Sequence, residues 1–200
     1  MKFLKTTIQP LHKKMLIAIA ALMGIVYFIP IWHISLVAPQ YPEGLSMNIF
    51  VHSIKGGNAH DLTNINLLNH YVGMHEIIEE SIPELGFMPY VLAFMILGAV
   101  VTFFHARIYM LILGVLNLFL VASAGLFDFW RWEYNYGHNL NPNAPIIVPG
   151  MTYQPPLLGC KTLLNIEACS WPHIGAILLF ISVAILLVIL YREKKLNSGA

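Results

Sequence analysis

Charge is scarce in this chain and unevenly placed. Lys, Arg, Asp and Glu together make up 10% of the 200 residues, against 58% hydrophobic residues, and four long stretches contain none of them. That balance excludes an ordinary soluble domain. No basic patch is present, so nucleic acid is not an expected partner. The chain has only two cysteines and no CxxC spacing, which removes the usual dithiol redox signature. No Lys, Arg, Asp or Glu sits within the apolar stretches, and this argues against a pump or an ion path. The two halves are not inverted copies of each other, so the secondary-transporter signature is missing. Internal repeats, low-complexity segments and flexible linkers are also lacking. Finally, no nucleophile–base arrangement, phosphate loop or carboxylate pair is visible, and an enzyme is not expected.

What remains is membrane-like. The four uncharged runs are Met15–Val37, Phe87–Phe104, Ile108–Phe127 and His173–Tyr191. Each has about 18–23 residues, enough for a helix to cross a hydrocarbon core of about 30 Å. The spacing predicts an all-α integral membrane protein: one domain over residues 1–200, a four-transmembrane-helix bundle in contact with membrane lipid. Ile31-Trp32-His33-Ile34-Ser35 offers no small-residue cleavage site, so the first run reads as an uncleaved anchor. Pro30 is expected to kink it. Lys2, Lys5, Lys13, Lys14, Arg107, Arg192, Lys194 and Lys195 all flank one side of the runs. The positive-inside bias then places both termini in the cytoplasm of a bacterial inner membrane. Two long loops, about 38–86 and 128–172, are expected in the periplasm.

The loops carry the chemistry. In the first, Ser46–Val51 alternates weakly like a strand, and Gly56-Gly57 marks a turn. Asp61 reads as the N-cap of an interfacial helix through about Glu80. On such a helix His70 and Met74 stack four residues apart, with His75 adjacent. Met47, His52 and His60 come earlier in the same loop. Thioether and imidazole together suit copper. The plainer reading is an apolar Met and solvated His side chains. The second loop opens with Asp128 and Arg131, spaced to pair if the helix continues, among four aromatics that read as an interfacial belt. His138 is the candidate ligand there. Cys160 and Cys169 read as a structural disulfide in an oxidising compartment, with a Cu(I)-binding or exchanging dithiol as the alternative. His33 and His173, near the outer ends of the first and fourth runs, are the candidate axial ligands for a haem. Interfacial hydrogen bonding is the competing role.

The strings YPEGLSM and DLTNINLLNHYVGMHEI in the first loop, and FDFWRWEYNYGHNLNPNAPIIVPGMTYQPPLLGCKTLLN in the second, carry a resemblance. The chain resembles small four-span membrane proteins encoded in gene clusters for copper-dependent nitrous oxide reductase of the atypical, Sec-exported kind. The likeness covers most of the chain and supplies context without ligand residues. It implies a denitrification accessory that supports maturation or operation of the periplasmic reductase, by copper relay or by docking assembly partners. An ABC-type copper-site assembly transporter, a lipoprotein copper chaperone and the reductase itself are the implied partners. The site expected first is His70, Met74 and His75, followed by His52, His60 and His138. The alternatives are a membrane redox subunit using haem b or quinone, and a scaffold that binds nothing.

Overall fold

The first apolar run is not one helix. In the computed structural model, which describes residues 3–198 (Lys2 lies outside them), α1 covers Pro10–Ile25 and the chain then turns. After Pro30, which has no amide hydrogen to continue a helix, Trp32–Ala38 forms strand β1. Its side chains alternate: Trp32 and Ile34 are buried while His33 and Ser35 are half-buried. β2 (Tyr41–Ile49) and β3 (Ile54–Gly56) follow, then α2 (Asp61–Val72), α3 (Pro83–His105) and α4 (Ile108–His138). β4 (Gly159–Leu163), β5 (Ile166–Pro172) and α5 (Ile174–Ser198) complete the chain. The strands make one antiparallel sheet in the order β3-β2-β1-β5-β4, with β1 at its centre.

The expected all-α four-transmembrane-helix bundle is therefore wrong. The protein is mixed α/β, and three helices, α3, α4 and α5, are long and apolar enough to cross a membrane. α1 has 16 residues, so it rises about 24 Å at 1.5 Å per residue, short of a full span of about 30 Å. It is held by packing instead. Leu16, Ile19 and Met23 are almost wholly buried, and α1 lies against α3 and α5.

The end of the helical layer away from the sheet is tied by polar contacts. Ile8 donates its amide to Ala106 at 2.8 Å, and His12 Nδ1 lies 2.7 Å from Glu193 Oε1 with both side chains buried. Lys5, Lys13, Lys14, Arg107, Arg192, Lys194 and Lys195 collect at this end.

At the other end the segments expected as loops fold into a second layer. Trp32, Ile34, Leu45, Met47, Ile54, Ile65, Ile77 and Ile82 form its core. Fully burying each large apolar side chain contributes about 1.5–3 kcal/mol. α4 runs on past its apolar stretch, and Phe129, Trp132 and Tyr136 pack on this core from one helical face. The aromatics expected as an interfacial belt are thus divided, because Trp130 and Tyr134 on the other face stay exposed. Continuation of the helix also brings Arg131 Nη2 to 2.6 Å from Asp128 Oδ1, as its spacing predicts.

Close backbone approach fixes where the 151–158 segment lies on α4. A Cβ at Gly137 would stand 2.3 Å from the Gln154 amide nitrogen and 2.4 Å from its Cα, and Tyr153 donates its amide to the Gly137 carbonyl at 2.9 Å. We expect Gly137→Ala to destabilise the protein by about 1–3 kcal/mol through this backbone overlap. Gly125→Ala, which meets nothing within 4 Å, should leave stability equal or slightly higher. Thermal unfolding of the two variants in detergent checks the contrast.

Candidate functional site

Two concave features lie side by side beneath the sheet, and the segment after α2 separates them. α2 ends at Val72, with Gly73 in the left-handed conformation (φ 83°) as its C-cap. The helix expected through Glu80 is therefore shorter, and Met74 and His75 lie beyond it. His70 and Met74 do not share a helical face. Instead, residues 74–78 run extended and are pinned from both sides. Asn66 pairs with the Ile77 amide at 2.8 Å and the Ile77 carbonyl at 3.1 Å, and Asn69 Nδ2 reaches the His75 carbonyl at 3.4 Å. From α4, the Tyr136 hydroxyl donates to the Glu76 carbonyl at 3.0 Å.

On the outer side of this segment is an open cleft lined by Met74, His75, Glu76, His138 and residues 139–142. The His138 ring stacks on Tyr134 with centroids 3.9 Å apart. Its Nδ1 lies 3.0 Å from the Tyr134 carbonyl. That contact makes Nδ1 the protonated nitrogen and leaves Nε2 with the lone pair a ligand needs. The remaining candidates are elsewhere. His70, exposed in the last turn of α2, meets Tyr71 edge-on at 6.2 Å. His60 is the N-cap at the opposite end of α2, and His52 stands exposed 6.1 Å from the Phe50 ring. Of the six expected metal ligands, Met74, His75 and His138 share a cleft; His70, His52 and His60 do not.

Among the described residues, the only three His, Cys, Asp or Glu side chains with ligand atoms all within 4.8 Å are Cys160, Glu167 and Cys169. The two cysteines are joined in a disulfide across β4 and β5, with Cα atoms 4.0 Å apart. A bonded pair offers no thiolate to copper. His33 and His173 do come together, with ring centroids 6.0 Å apart. His33 Nδ1 contacts Asn48 Oδ1 at 2.8 Å, whereas His173 Nδ1 is buried without a partner.

On the inner side of the segment is a small cavity of about 60 Å³ between the sheet, α2 and the end of α4. Its walls are mostly aliphatic, and Met47, Met74, Asn69, Tyr153 and Glu133 are among them. Glu133 is 0% exposed, and neither carboxylate oxygen has a hydrogen-bond partner. The Tyr153 hydroxyl and Trp132 Nε1 are likewise buried and unpartnered. Glu133 lies beyond the apolar stretch of α4, in the sheet layer. An isolated ionised carboxylate in such surroundings costs several kcal/mol. Burial accordingly pushes the Glu133 carboxyl from 4.5 up to about 8.

Asp61 shows the opposite balance. Burial tends to raise its pKa, but Oδ2 accepts from the Ser46 amide at 3.0 Å and hydroxyl at 3.4 Å, and from the Asn58 amide at 3.1 Å and side chain at 3.2 Å. The net shift is downward. Asp61 is a satisfied structural carboxylate; Glu133 is not satisfied by this chain.

Reading the sequence by composition misses Glu133. The signal is present once α4 is continued: Phe129, Trp132, Glu133 and Tyr136 fall at i, i+3, i+4 and i+7, placing a carboxyl on an aromatic face.

The raised pKa has a definite consequence for metal-free protein. Below about pH 4.5 Glu133 is protonated in both the folded and unfolded states. Between 4.5 and about 8 only the unfolded chain ionises, so stability falls with rising pH by up to about 1.4 kcal/mol per unit. Above about 8 the slope ends. Glu133→Gln should flatten this dependence and be the more stable protein near pH 8, as read from melting curves across pH. Superimposable curves for the two proteins would refute the assignment. No known protein family, curated protein or solved structure matches this chain.

Proposed function

We propose that this protein is a membrane-anchored accessory of a periplasmic copper enzyme, nitrous oxide reductase, and that its sheet layer receives copper at the cleft beside α2. The observation that carries the proposal is the convergence of Met74, His75 and His138, from two separate segments, on one accessible cleft beyond the apolar stretch of α4. Soft thioether and imidazole donors suit Cu(I), and imidazole also binds Cu(II). The resemblance of both outer segments to proteins of reductase gene clusters supplies the enzyme. Orientation in the bacterial inner membrane is supported by the basic residues gathered at the end away from the sheet. The disulfide in the sheet layer fits an oxidising periplasm. The role is relay and docking without catalysis. Its partners are the reductase, a lipoprotein copper chaperone and the assembly transporter.

A second reading rests on the His33–His173 juxtaposition, which would suit a redox subunit with haem. It requires a Soret band in the purified protein, lost in His173→Ala. Copper relay requires a colourless protein that binds Cu(I) from a competing chelator under anaerobic conditions. We expect the triple variant Met74→Ala, His75→Ala, His138→Ala to bind Cu(I) at least about tenfold more weakly, a loss of about 1.4 kcal/mol or more. Copper loading of the reductase in cells should fall with it. Unchanged affinity and unchanged loading would reject the cleft as a copper site.

A further inference from the structure

The helical layer contains a groove that the chain itself does not fill. It lies between α3 and α4, has a volume of about 310 Å³, and is floored by Leu16 and Met23 of α1. Gly98 and Thr102 line it from α3, and Gly114 and Asn117 from α4. Asn117 is the residue there that needs an account.

Asn117 is the tenth residue of the uncharged run Ile108–Phe127. At 1.5 Å per residue it stands about 14–15 Å from either end, at the middle of the hydrocarbon. Hydroxyls in the neighbouring spans find partners one turn back. Thr102 Oγ1 donates to the Gly98 carbonyl at 2.7 Å, and Ser182 Oγ to the Leu178 carbonyl at 2.8 Å. The Asn117 side chain is half-buried and makes no hydrogen bond with any described residue. Its amide carries two donors and an acceptor, and hydrocarbon satisfies none of them.

The two glycines add an independent observation. A Cβ at Gly98 or at Gly114 would meet nothing within 4 Å. Glycine inside a helix is weaker than alanine, and no close approach within this chain explains its presence at either position. Between membrane helices, small residues mark where a second backbone comes close, and polar ones hydrogen-bond across the contact.

The depth and chemistry of the amide select the occupant. Acyl chains suit such a groove by shape but bring no hydrogen-bonding group, and lipid headgroups lie about 15 Å away at the interface. A second Asn117 offers a donor and an acceptor to the first and receives the same in return. Copies inserted with one orientation are related by a two-fold axis along the membrane normal, which sets both Asn117 side chains at equal depth. Phe94 and Leu113, exposed on the rim of the groove, are then available to fill the groove of the partner.

We propose that the protein is a homodimer in the membrane, in which the α3–α4 grooves of two copies face each other and their Asn117 side chains hydrogen-bond reciprocally, with Gly98 and Gly114 allowing the close approach. The dimer needs no copper, and it sets two sheet layers side by side on one face of the membrane.

The test uses the full chain, labelled with two fluorophores and reconstituted in phosphatidylethanolamine–phosphatidylglycerol vesicles, with energy transfer followed across protein-to-lipid ratios. We expect a reversible dimer. Asn117→Leu should weaken it at least about tenfold, while Asn117→Gln, which keeps the amide, stays within about threefold. Gly114→Leu should also weaken it at least about tenfold, by blocking the approach. Melting curves of the variants establish that each folds, and Asn117→Leu should melt no lower than the unaltered protein. A photoreactive residue in place of Leu113 should crosslink the chain to a second copy in native membranes. Energy transfer absent at every ratio overturns the dimer and leaves the groove to acyl chains. Dimerisation unchanged in Asn117→Leu and Gly114→Leu places the contact elsewhere and overturns it too. Crosslinking of position 113 only to a different membrane protein does the same.

Discussion

Everything outside the helical layer depends on β1 being hydrogen-bonded on both edges. The chain leaves the helices as β1, and β2 and β5 flank it, with Trp32 opposite Ile49 on one side and Pro172 on the other. β5 then passes straight back into α5. The His173 amide donates to the Ile31 carbonyl at 3.0 Å, and the Gly175 amide to the Pro30 carbonyl at 2.9 Å. A Cβ at Gly175 would lie 2.7 Å from that carbonyl oxygen, so the junction closes only around glycine. With its exits to α1 and α5 fixed, the sheet provides a rigid floor. α2 and the extension of α4 are laid against it, and the segment at 74–78 is held between them.

Parts of this were legible in the sequence for simple reasons. Three of the four apolar runs are helices because their length and lack of charge leave no alternative in lipid. The Asp128–Arg131 pair follows from helical spacing, and the Cys160–Cys169 bridge from the sparse cysteines. Ser46–Val51 reads as strand because its alternation is real, although β2 starts earlier, at Tyr41, and ends at Ile49, before Phe50 and Val51. The first run reads as a single span because a hydropathy window counts apolarity and ignores period. A central strand with so few polar residues is nearly as apolar as a span, and only Pro30 and the His33/Ser35 alternation distinguish it. α2 is shorter than its sequence pattern suggests because Gly73 takes a positive φ and caps the helix.

The candidate site divides along the same line. Residue type alone pointed to His70, Met74 and His75 as a helical cluster, and the early end of α2 dissolves that cluster. His138 then joins Met74 and His75 only through the tertiary packing of α4 against the 74–78 segment, which no local pattern encodes. Glu133 was harder still, because a Glu between Trp132 and Tyr134 reads as a solvated residue at a helix end. Its meaning depends on which way the helix face turns, and that is set by Phe129, Trp132 and Tyr136 docking on the sheet.

The sheet layer holds its two buried carboxyls in opposite ways. Asp61 is surrounded by donors from Ser46 and Asn58, so its burial serves to join α2 to β2 and could be exchanged for other stabilising contacts. Glu133 receives no donor from any neighbour, and replacing it by an apolar side chain would relieve the fold of a cost.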